Sequence, residues 1–229
     1  MRNILLALLF VPLAAAAQAP ETLFNLVSLN AEADREIPND LLTATLVAEA
    51  EGTDPAQLAD GVNRAMQRAL STALAVKSVK ARSGAYQTIP VYEKSRVARW
   101  RVRQELRLES ADFAAATELI GKLQTSLMVT GMNLSVSAEA RRKAENALIA
   151  EALAAFEERA RVVRDAMKAK GYRVRDLQVS PGGSSPPRPM LAMAARSLQE
   201  GAPPAVEPGT TRILITVTGT IQLQQMQAQ

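Results

Sequence analysis

The chain has 229 residues, 27 Lys and Arg against 23 Asp and Glu, only 3% aromatic residues, and neither His nor Cys. Without imidazole or thiol groups there is no Ser-His-Asp or Cys-His relay, no imidazole or thiolate metal site, no haem thioether and no disulfide. Carboxylate, Lys, Ser/Thr and Tyr chemistry remains, no cofactor is implied, and the length sets one domain or at most two.

Met1-Arg2-Asn3 followed by an apolar run from Ile4 to Ala17, ending in small residues, has the form of a secretory signal peptide at 1–17. Cleavage after Ala17 avoids placing Pro20 next to the cut and starts the mature chain at Gln18. The competing reading is a membrane anchor, but a helix of that length spans roughly 21 Å against a hydrocarbon core of ~30 Å. No Cys follows the run to carry a lipid. The expected product is periplasmic or secreted, with no transmembrane segment in the mature chain. Losing Arg2 leaves a net charge of +3, too small and dispersed to indicate nucleic acid.

Residues 23–36 and 41–51 alternate in the manner of strands, Leu42, Ala44, Leu46, Ala48 and Ala50 sharing one face. Pro38-Asn39-Asp40 reads as the turn of a hairpin between them. Asp54 then caps a helix with Pro55 at its first position and a stripe of Leu58, Val62, Met66, Leu70 and Leu74. A second extended pair follows at 79–92 and 96–108, and Asp112 caps a helix carrying Phe113, Ala116, Ile120, Leu123 and Leu127. Gly131 to Ser137 reads as a short strand. Glu139 to Lys170 is the longest helix, with Leu148, Ala152, Phe156, Val163 and Met167 inward and Gly171 as its stop. Strands at 172–179 and 211–224 complete the set, the last burying Ile213, Ile215, Val217, Ile221 and Leu223. This order predicts an α+β fold: a two-layer helix-on-sheet sandwich with mainly antiparallel sheets, in two intertwined subdomains within 18–229.

Residues 181–208 hold seven of the twelve prolines and read as a long loop. Its interior, Met190-Leu191-Ala192-Met193-Ala194-Ala195, is apolar, so it either docks on this molecule or another subunit or carries a short helical turn in a mobile loop. Met190, Leu191 and Met193 are thus candidate assembly residues. Met190, Met193 and Met226 are also candidates for reversible oxidation to sulfoxides.

The sharpest charged feature is the ladder Arg99, Arg101, Arg103 and Arg107, which a period of two places on one strand face. It can meet an anionic envelope ligand, a subunit, or acidic neighbours; Glu32, Asp34 and Glu36, or Glu49 and Glu51, have matching alternation. Cross-strand ion pairing is the reading that needs least. Glu157-Glu158 diverge around a helix and read as a solvated face, not an acid/base pair. Gly182-Gly183-Ser184-Ser185 lacks the Lys-Ser/Thr and helix start of a phosphate cradle. Tyr86, Tyr92 and Trp100 read as core and rim ahead of a small pocket.

The element order resembles the SIMPL domain of exported bacterial proteins. The resemblance is carried by Val27 to Asp40 and its following strand, by Tyr86-Gln87-Thr88-Ile89-Pro90-Val91-Tyr92 before the Trp100 strand, by Ala160 to Gly171 leading into Tyr172-Arg173-Val174, and by Glu207-Pro208-Gly209. Leu29, Asn30 and Ala31 stand where that family usually has glycines, and Asn39-Asp40 where it has Pro-Asp. The resemblance implies an envelope protein linked to protection against oxidative stress, with members that form ring-like oligomers and no established enzymatic activity. The expected function is therefore noncatalytic and self-associating, with a protective role. Binding of an anionic envelope component through the arginine face is the alternative, and a hydrolase of unknown substrate the remote one.

Overall fold

The computed structural model of the chain describes residues 24–182 and 208–226. In chain order the elements are β1 (Leu26–Pro38), β2 (Leu41–Gly52), α1 (Pro55–Leu74), β3 (Lys80–Glu93), β4 (Arg96–Ser110), α2 (Phe113–Leu123), β5 (Met128–Ser135), α3 (Ala138–Ala166), β6 (Ala169–Gly182) and β7 (Thr210–Met226). They build two antiparallel sheets, β1-β7-β6 and β3-β4-β2-β5, each covered on one face by helix. The α+β architecture of helices on antiparallel sheets is as the periodicity predicts.

The caps explain where the helices begin. Asp54 accepts from the backbone N–H groups of Ala56 and Gln57, with Pro55 at the first helical position, where its missing N–H is not needed. Asp112 and Ser137 accept from Ala115 and Ala140 in the same way. The stripe of α1 buries Val62, Met66, Ala69 and Ala73 against Leu42, Leu46, Val102, Leu106 and Leu108 of the four-stranded sheet. Leu74, expected in that stripe, is exposed at the end of the helix. On the three-stranded sheet, Ala144, Leu148, Ala152, Phe156 and Ala160 of α3 meet Ile213, Ile215, Val217, Ile221 and Leu223 of β7. Five apolar residues at successive i, i+4 steps, three of them Ala, let the helix approach the sheet closely.

Two expectations are corrected. β1 and β2 do not form a hairpin: β1 pairs along its whole length with β7, from Leu26 opposite Gln222 to Pro38 opposite Thr210, while β2 pairs with β4 and β5. Between them, the Asn39 N–H donates to Gly209 O and the Asp40 N–H to Ser135 O, so adjacent residues are committed to different sheets. The chain crosses over where a two-residue turn would reverse it. The second correction concerns the long helix, which stops at Ala166 and not at Gly171. Lys168 takes a left-handed φ of 53° and the chain enters β6 at Ala169, opposite Met226. Pairing with β7 overrides the helix propensity of the Ala/Lys segment.

The result is a nested arrangement. Residues of β2 through β5, with α1 and α2, form one sheet layer, inserted between β1 and the α3-β6-β7 segment that completes the other. No helix among the described residues is long and apolar enough to cross a membrane.

Candidate functional site

The arginine ladder lies on the face of the four-stranded sheet opposite its helices. β4 is an inner strand with β2 on one side and β3 on the other, so alternation sends Val102, Leu106 and Leu108 into the core and Arg99, Arg101, Arg103, Glu105 and Arg107 outward. Register sets Glu51 directly opposite Arg101 and Glu49 opposite Arg103.

The arginines meet glutamates. Arg101 donates to Glu51 Oε2 from Nη2 at 2.9 Å and from Nε at 3.2 Å, and its Nε lies 3.4 Å from Glu49 Oε1. Arg99 reaches Glu51 Oε1 at 3.1 Å and Glu93 Oε1 at 3.0 Å. Glu105 sits between the remaining two, 3.6 Å from Arg103 and 3.1 Å from Arg107. The Glu51 hydrogen bond, followed by the charges of Glu51 and Glu49, holds the Arg101 guanidinium above its already high range.

Alternation offered two acidic sets as partners, and strand pairing brings Glu49 and Glu51 to the ladder. Glu32, Asp34 and Glu36, the other set with the right period, belong to β1 in the other sheet: Asp34 accepts from Arg212 Nε at 2.8 Å and Glu36 from the Thr210 hydroxyl at 3.2 Å. Two ladder partners were missed. Glu105 lies on the ladder's own strand at the same period, and Glu93 is brought in by the β3–β4 turn; both were legible as positions on the face but not as bridges.

The other candidates fall apart spatially. Glu157 and Glu158 both accept from Arg161, at 3.4 and 3.5 Å, on an exposed helix face. Tyr86 and Tyr92 are exposed and Trp100 half-buried, none of them within either core, because the β3–β4 hairpin carries them away from the helices. The segment 1–17 expected to be a leader and the loop residues Met190, Leu191 and Met193 lie outside the described residues, as does most of the Gly182 to Ser185 run.

Displaced carboxyl groups are Asp34, Glu118 and Asp165, each held below the ordinary range chiefly by a hydrogen bond from Arg212, Lys122 or Arg164. These shifts favour the charged form, the opposite of what a general acid requires. No group of three or more Asp or Glu side chains among the described residues is arranged to hold a metal ion.

No curated protein matches the chain. A crystal structure of an unknown protein from Galdieria sulphuraria shares 11% identity over 78% of this chain and 81% of that one, with a TM-score of 0.21, too slight a likeness to bear on fold or function. A family model does match, over residues 27–221, from the second residue of β1 to within five residues of the end of β7. That span includes both sheets and all three helices, and the chain therefore belongs to the SIMPL family, described as a protein of unknown function (DUF541).

Proposed function

We propose that this protein is an exported, noncatalytic member of its family that self-associates and contributes to protection against oxidative stress. The observation that supports assembly is strand β6. Among the described residues it is an edge strand, paired with β7 alone. α3 packs mainly over β1 and β7, leaving Val174, Leu177 and Val179 of β6 47%, 44% and 38% exposed. A strand edge with unpaired backbone groups beside a row of bare aliphatic side chains is suited to addition of another strand. Antiparallel pairing of two β6 edges would continue the sheet across a twofold axis and cover both rows.

Noncatalytic action is supported by the side-chain inventory and by carboxylates tied into exposed ion pairs. The protective role and export rest on the family resemblance and the leader-like start. The anionic-ligand reading of the ladder is weaker, since Arg99, Arg101, Arg103 and Arg107 already have carboxylate partners that a ligand would have to displace.

Sedimentation velocity of residues 18–229 across micromolar concentrations tests assembly. The expected result is a concentration-dependent oligomer that Leu177→Lys with Val179→Lys converts to monomer. A chain that stays monomeric throughout removes self-association, and an oligomer indifferent to these substitutions removes β6 as its seam. Unchanged peroxide survival of a strain lacking the protein would remove the protective role.

A further inference from the structure

The β3–β4 hairpin outruns its surroundings. β2 pairs with β4 only as far as Gly52 opposite Trp100, and α1 starts three residues beyond Gly52 and packs back over the sheet. From Arg99 to the turn at Lys94-Ser95, β4 has β3 as its only strand partner among the described residues. Five residues at strand rise carry the tip about 16 Å past the end of β2.

Its composition differs from that of the body it leaves. Tyr92 and Val97, cross-strand partners just behind the turn, are 62% and 44% exposed, and Tyr86 and Ile89, farther back opposite Gln104 and Arg101, are 45% and 42% exposed. An exposed Tyr and an exposed Val paired at the end of a hairpin mark a contact surface. Tyr suits a boundary between water and hydrocarbon, its ring apolar and its hydroxyl wet. Around them stand Lys94, Arg96 and Arg99 against one carboxylate, Glu93. Glu93 is taken by Arg99, whereas Lys94 and Arg96 have no ion pair among the described residues. Lys94 and Ser95 both sit in the left-handed region, with φ of 47° and 66°. A two-residue hairpin turn of this kind favours Asn-Gly; here the chain keeps a cation at the strained position.

We propose that this tip docks on an anionic lipid surface, with Lys94 and Arg96 among the headgroups and Tyr92 and Val97 at the headgroup–acyl boundary. Charge complementarity selects the occupant. A neutral apolar partner has no use for two unpaired cations, and a dissolved anion has none for the Tyr92–Val97 pair. The ladder face and the β6 edge take no part, so the proposal stands or falls separately from self-association.

The test is co-sedimentation of residues 18–229, which omits the apolar run at 1–17, with vesicles of phosphatidylcholine containing or lacking phosphatidylglycerol. Binding is expected only with phosphatidylglycerol and should weaken as salt rises. Lys94→Glu with Arg96→Glu should lower it at least about tenfold, since each cation near such a surface contributes several-fold. Tyr92→Ser with Val97→Ser should also lower it, with far-UV circular dichroism and urea midpoint retained. The chain has a single Trp, so Tyr92→Trp with Trp100→Phe moves the only indole to the tip without deleting its aromatic character. Its emission should shift to the blue with anionic vesicles and be quenched by brominated acyl chains. No binding, equal binding to neutral vesicles, or an unquenched tip indole overturns the proposal. It is also overturned if inorganic phosphate gives the same shift, or if the tip substitutions abolish oligomers and leave vesicle binding intact.

Discussion

The Asn39 side-chain oxygen accepts from the Thr211 hydroxyl at 2.6 Å, linking the end of β1 to the start of β7 across 172 residues of sequence. Both residues are buried, and the Asn39 amide nitrogen also donates to Pro208 O at 2.7 Å while its backbone N–H donates to Gly209 O at 3.1 Å. The next residue, Asp40, faces the other way: its carboxylate accepts from the Ser137 N–H and hydroxyl, where α3 begins. Two consecutive side chains thus clamp the crossover from one sheet to the other.

Asn39→Ala removes both side-chain bonds and leaves the buried Thr211 hydroxyl without its partner. The expected cost is about 1–3 kcal/mol, the range for orphaned buried polar groups. Thr211→Val should cost less, since it removes one partner and fills the same volume. Urea unfolding of both variants and the double mutant checks this; additive losses would deny the coupling.

Gly219 lies in β7 opposite Leu177, and an added Cβ would come within 2.6 Å of the Asp176 carbonyl and 3.1 Å of Phe156 Cζ. Backbone cannot yield as a flexible side chain can, and Phe156 is itself buried. Gly219→Ala is therefore expected to destabilise by about 1–3 kcal/mol through overpacking, although Ala has the better strand propensity. Gly131, with open space around its Cβ position, provides the control: Gly131→Ala should be neutral or mildly stabilising.

Asp34 is held below its ordinary value of 3.8 by the hydrogen bond from Arg212 and then by that residue's charge. A carboxyl whose folded pKa is lowered binds its proton more readily in the unfolded chain. Its stabilising contribution is complete above 3.8 and is lost as pH falls through the folded value. Asp34→Asn should leave the urea midpoint near pH 2 almost unchanged relative to the parent and lower it slightly at neutral pH. A larger loss at pH 2 than at pH 7 would contradict the assignment.

Among the described residues Glu105 is the carboxylate in ion-pair reach of Arg103 and Arg107, and Arg107 is also the cross-strand partner of Arg82. Glu105→Gln removes the carboxylate shared by Arg103 and Arg107 and leaves Arg107 facing Arg82 across the strands. Its urea midpoint should fall in low salt and recover toward the parent in high salt, because screening weakens like-charge repulsion between exposed groups. A salt-independent loss would instead indicate packing.

What the sequence determined by itself was local. Caps at Asp54 and Asp112, the inward stripes of α1 and α3, and the outward row from Arg99 to Arg107 follow from residue chemistry and side-chain period, both properties of neighbours along the chain. The tertiary structure alone decided partners. The alternation of β1 is satisfied by pairing with β2 or with β7, and its acidic row could equally have faced the arginines of β4. The choice fell to buried contacts more than 170 residues apart, Asn39 with Thr211 and Ala31 with Val217, which have no signature in either segment read separately. The same non-local pairing ended α3 ahead of Gly171 and set β6 at the edge of its sheet among the described residues, since a strand's neighbours are fixed by the summed burial of whole sheets, not by its own pattern.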